Sequence, residues 1–121
     1  MNTQQLQQRC RAFAHASETL HPHPGNILEY AVGGKKFAYF KTSEPEKWRF
    51  SLRVAPDLFL GLTAMPGVKP ARYMGRFHWV TIVDVCSFPP EWLAELLAWS
   101  YQKARSGLSK AELASLDGKA A

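Results

Sequence analysis

Cysteine is scarce in this chain: Cys10 and Cys86 stand far apart, with no CxxC pair. A disulfide scaffold or a zinc ribbon needs more thiols at closer spacing, so neither is spelled out, and two buried free thiols in a reducing compartment are expected. Long apolar runs are missing too. Nothing approaches the roughly 20 residues that cross a bilayer, and Met1 to Arg11 is polar where a secretory signal would be apolar. The expected address is the cytoplasm, without a membrane partner. No GxGxxG or GxxxxGK loop is present, and Ser51, Ser87, Ser100 and Cys86 stand in no nucleophile-elbow setting, so no catalytic residue is assigned. His21 and His23, with His15 and Cys10 upstream, could be imagined as metal ligands, but an HxH pair in a proline-rich loop is not a diagnostic spacing. Neither metal nor cofactor is expected.

What the chain does have is an ordinary globular balance, 121 residues with 46% hydrophobic and 21% charged, enough for one core and one domain. The domain is expected over residues 1–116, with a flexible tail at 117–121. Leu6, Cys10, Phe13 and Ala14 fall at helical spacing within residues 3–16. His21-Pro22-His23-Pro24-Gly25 then breaks the helix as a loop. Ile27 to Val32 and Lys35 to Lys41 flank Gly33-Gly34, a pair that readily takes the positive φ values of a tight hairpin turn. Lys47 to Val54 alternates strictly, with Lys47, Arg49, Ser51 and Arg53 on one side and Trp48, Phe50, Leu52 and Val54 on the other.

Pro56-Asp57 predicts a second helix ending near Met65. Lys69 to Gly75 reads as a brief extended segment and His78 to Val83 as a strand. Pro89-Pro90 opens the longest helix, whose Trp92, Leu93, Leu96, Leu97, Trp99 and Tyr101 form a face suited to covering a sheet. Ser109 and Glu112 have capping-box spacing for a small terminal helix. The fold class is α+β: a single antiparallel sheet of about five strands with helices packed on one face, in the order α-β-β-β-α-β-β-α.

Net charge is +5, and it is unevenly distributed. From Lys35 to Arg76 nine bases (Lys35, Lys36, Lys41, Lys47, Arg49, Arg53, Lys69, Arg72, Arg76) face three acids (Glu44, Glu46, Asp57). The remainder of the chain is about neutral. Along a strand, every second residue repeats at about 6.5 to 7 Å, close to the phosphate spacing of one nucleic-acid strand. Lys47, Arg49 and Arg53 could therefore track a backbone, or could simply keep an uncovered sheet face wet. Most of the interleaved aromatics, Trp48 and Phe50 among them, belong in the core, whereas Tyr39 and Tyr73 are open to either role.

Lys41-Thr42, Pro56-Asp57, Pro66-Gly67-Val68-Lys69-Pro70, His78-Trp79-Val80-Thr81-Ile82 and Trp99-Ser100-Tyr101, in that order and spacing, resemble the YjbR/MmcQ family of small bacterial proteins. The likeness extends weakly to Gly34-Lys35-Lys36-Phe37-Ala38 and covers most of residues 5–105. The resemblance implies a fold similar to frataxin-like or secretion-chaperone-like layouts, and a DNA-binding role through a double-wing arrangement of strands. The chain departs from the commoner family pattern at Gly75-Arg76-Phe77, where Asn-Lys often precedes His-Trp, and at Asp84-Val85.

Three readings follow. In the first, a non-enzymatic DNA-binding domain meets phosphates through Lys35, Lys36, Lys41, Lys47, Arg49, Arg53, Lys69, Arg72, Arg76 and His78. The second is a protein-interaction or chaperone-like adaptor that holds a peptide on its sheet face or edge. The third is a small-ligand enzyme, which requires a concave pocket where His78 meets Arg72, Tyr73 or Asp84.

Overall fold

A computed structural model describes the backbone of residues 1–119 and the side chains of residues 1–116. The first helix, α1 (Thr3–Ala12), begins with a reciprocal cap: Gln5 N–H donates to the Asn2 side chain and Asn2 N–H to the Gln5 side chain. Four strands follow, β1 (Ala16–His21), β2 (Ile27–Val32), β3 (Lys35–Lys41) and β4 (Phe50–Arg53), and then α2 (Pro56–Thr63), opened by its proline. After β5 (Val68–Pro70) and β6 (Trp79–Ile82) come α3 (Pro90–Ser106) and α4 (Lys110–Lys119). Among the described residues no helix is long and apolar enough to cross a membrane.

The six strands form one antiparallel sheet in the order β1-β2-β3-β4-β6-β5. The α+β class with helices on one face is as expected, but the sheet gains the edge strand β1. Ala16–His21 lacks an apolar alternation because β1 pairs only with β2 and its side chains are mostly exposed. The hairpin between β2 and β3 turns through Gly33 and Gly34, with φ of 56° and 80°. A side chain at Gly33 would also collide with Leu108, which seals that end of the core. The Ser109/Glu112 capping box forms in both directions. Its helix continues through Lys119, past the start of the expected tail; residues 120 and 121 lie outside the described residues.

Cross-strand partners share a face, so the register sorts the sheet into two sides. Tyr30, Ala38, Phe40, Phe50, Leu52, Val80, Ile82 and Val68 point toward the helices and join Leu6, Cys10, Leu62, Leu93, Leu96, Leu97 and Tyr101 in one buried cluster, with half-buried Leu28 packed against it. Phe37 is the extra residue of a β-bulge opposite Tyr30 and Ala31, and it too enters this core, edge-on to Phe13 and Tyr101. Cys10 is buried there, and burial pushes its thiol up to about 12. Cys86 is exposed, contrary to the expectation of two buried thiols, because it sits in a short 3-10 turn after β6.

Past the bulge, β3 and β4 no longer pair directly. The buried Ser100 hydroxyl of α3 fills the gap, accepting from Arg53 N–H at 3.2 Å and donating to the Phe37 carbonyl at 2.6 Å. The helix is thereby spliced into the sheet ladder. Replacing Ser100 with Ala leaves both backbone groups without that partner, for which a loss of about 1–3 kcal/mol is expected. Urea unfolding of Ser100→Ala measures it, as a lower midpoint at unchanged slope.

Candidate functional site

The sheet face turned away from the helices carries a row across five strands: Lys69, Thr81, Ser51, Tyr39 and Glu29, from β5 to β2. Beside it run Arg53 and Trp79 on one side and Lys41 on the other. Arg49 lies opposite Lys41, since Lys41 N–H donates to the Arg49 carbonyl. Among the described residues the helices pack on the other side of the sheet, yet Ser51 and Thr81 are only 1% and 3% exposed. Their hydroxyls bond each other at 2.7 Å. Tyr39 stacks on Trp79, with centroids 5.7 Å apart, and Lys36 stands over the Tyr39 ring while pairing with Glu29 at 3.2 Å.

Arg49, Lys69, Arg72, Pro70 and Thr81 line a cavity of about 360 Å³ on this face. Three cations around one recess repel one another, and a single carboxylate relieves part of that repulsion. Glu46 Oε1 accepts from Arg49 at 2.9 Å and from Lys69 at 2.7 Å. These bonds hold the Glu46 carboxyl below its ordinary range, Lys69 contributing most and Arg49 next. Glu46 reaches this position because its backbone is left-handed, at φ 58°, and because Trp48, at φ 72°, turns the chain back onto Lys41.

That turn changes the membership of the basic row. Lys47 was expected beside Arg49 and Arg53, but it falls in the turn, with its ammonium over the Trp48 ring at 5.6 Å. The strand begins at Phe50, so the alternation of residues 47–49 is not that of a strand. Arg49 and Arg53 remain on the open face, flanking Ser51. Lys35, paired with Val32, belongs to the helix side near Gly107. His78 precedes the strand it was expected to begin: it closes a 3-10 turn with φ 65° and sets its ring edge-on to Phe59 of α2. Asp84 caps the turn after β6, accepting from Cys86 N–H and the Ser87 hydroxyl. Among the described residues no group of three or more His, Cys, Asp or Glu side chains could hold a metal ion.

Sequence reasoning missed Glu46 and the buried Ser51–Thr81 pair. The loop between β5 and β6, residues 71–78, projects from the same end of the sheet as the Gly33–Gly34 turn, because Arg53 pairs with Trp79 there. In that loop Arg72 lies over the Tyr73 ring at 5.0 Å and Arg76 over the Phe77 ring at 4.7 Å.

The Glu46 pairing yields a direct test by carboxyl-detected NMR titration. The wild-type Glu46 midpoint should fall below the ordinary value of about 4.3, so both ion pairs are complete above that value and are lost only as the pH drops through the depressed one. Lys69→Met should move the midpoint upward, since it removes the larger of the two causes.

Comparison with known proteins finds the YjbR family model matching residues 11–103. Similar crystal structures include the following two. One is Deinococcus radiodurans protein DR2400, with a DUF419 domain: TM-score 0.79 and 29% identity, over 96% of this chain and 88% of that one. The other is a Pseudomonas syringae protein with TM-score 0.67 and 21% identity, over 86% of this chain and 99% of that one, a likeness of fold alone. No curated protein matches.

Proposed function

The chain belongs to the YjbR family, and from that premise and the geometry of its open face we propose a non-enzymatic DNA-binding domain that grips phosphates on the uncovered side of its sheet. The observation that carries this reading is the convergence of Arg49, Lys69 and Arg72 around one cavity floored by Thr81. Lys36, Lys41 and Arg53 extend the same face, on which Glu29 pairs with Lys36 and Glu46 with Lys69. A phosphate entering the cavity would meet donors of two kinds, guanidinium and ammonium. Arg76, on the 71–78 loop with Arg72, would add a further phosphate contact, and the Gly33–Gly34 turn and the 71–78 loop are the pair of projections that a double-wing arrangement would use.

Each phosphate that is neutralised releases counterions, so affinity should fall steeply with salt. In fluorescence anisotropy with a labelled DNA oligonucleotide, Arg53→Glu combined with Arg72→Glu should weaken binding at every salt concentration and flatten the salt slope by about one for each lost contact. Lys35→Glu makes the same kind of charge change on the helix side and should change affinity far less. Glu46→Gln should tighten binding, because it releases Arg49 and Lys69 from their internal anion. Equal losses from Lys35→Glu and from the open-face variants would mean that binding follows net charge and that no site exists.

The adaptor reading has one observation of its own: β1 is an edge strand paired on one side only, with Leu20 exposed. A protein that ignores DNA at low salt but takes up a defined peptide along β1 would favour it.

A further inference from the structure

We infer that the favoured polyanion is a single strand, its bases stacked on Tyr73 and Phe77 while its phosphates occupy the Arg49–Lys69–Arg72 cavity; this rests on the DNA-binding reading above. Tyr73 is 82% exposed and Phe77 44%, so two of the large apolar side chains that the fold leaves in water share one short loop. Single exposed rings are common on protein surfaces. Two rings on one loop, each with a guanidinium over it, would serve as a platform of the kind on which bases stack. The backbone also holds Tyr73 left-handed, at φ 65°, a conformation that is unusual for a bulky residue and is maintained only where surrounding contacts enforce it.

Arg72 links the platform to the cavity, since the same side chain lies over the Tyr73 ring and lines the recess with Arg49 and Lys69. A base on Tyr73 and its neighbouring phosphate would therefore be met side by side. A duplex cannot make the first contact, because its bases already stack on one another and their faces are hidden. Reading a duplex in the major groove commonly uses a helix, and here α1, α2 and α3 all pack on the opposite side of the sheet. A sheet face flanked by exposed rings and cations suits an unstacked strand.

The test compares three labelled probes of equal length at matched salt: oligo-dT, a duplex, and an abasic single strand that keeps the phosphates and lacks the bases. Wild-type protein should prefer oligo-dT to both others. Tyr73→Ala with Phe77→Ala should lose roughly ten-fold or more on oligo-dT and stay within about two-fold on the abasic strand, with an unchanged salt slope. Tyr73→Phe, which preserves the ring, should retain binding and controls for any disturbance of the loop. If the duplex binds as tightly as oligo-dT, or if the double variant loses equally on the abasic strand, stacking is overturned while the phosphate contacts stand. If Arg53→Glu with Arg72→Glu binds all three probes as wild type does, both this inference and the reading beneath it fall.

Discussion

Placing α1, α2 and α3 on a single side of a six-stranded sheet leaves the other side to cover itself with its own side chains, and the chemistry of the molecule follows from that constraint. A flat sheet face in water needs polar groups, but the hydroxyls of Ser51 and Thr81 at its centre are buried and bonded to each other. Long side chains can cover such a centre by laying an apolar stem across the sheet and keeping a charged end wet. Lysine and arginine are suited to this, and their concentration here turns a covering into a positive surface. Glu46 and Glu29 temper the repulsion without cancelling it.

Coupling between the two faces runs through the strands. The bulge at Phe37 sends an additional ring into the core, and Ser100 repairs the ladder interrupted beside it. Arg53 belongs to both systems: its amide is fixed by the helix side through Ser100, and its guanidinium is on the open side. The core thus sets where a surface cation stands, and positional accuracy on the basic face is inherited from packing beneath it.

Features governed by neighbours in sequence could be read directly. Gly33-Gly34, Pro56, Pro90 and the Ser109/Glu112 pair obey local dihedral and capping rules, and each marks the element expected of it. Features decided by distant partners could not. β1 is an exposed edge, so its six residues carry little hydrophobic signal. The run from Lys47 to Val54 alternates like one strand, but left-handed Trp48 folds its first part back onto Lys41, which removes Lys47 from the basic row and brings in Glu46. His78 sits next to a strand residue, and only the 3-10 turn before it directs its ring to Phe59 rather than to the cations. Arg49, Arg53, Lys69 and Arg72 were legible as a charge cluster; that three of them share a cavity depends on β4, β6 and β5 being adjacent, which no local pattern encodes.

The central claim is that the helix-free face is where a polyanion docks. Amide chemical shifts followed by heteronuclear NMR during addition of a short DNA strand report on this residue by residue. The account predicts that perturbations concentrate at Arg49, Ser51, Arg53, Lys69, Arg72 and Thr81 while Glu95 and Trp99 of α3 stay still. Shifts confined to α3, or spread evenly over both faces, would contradict it.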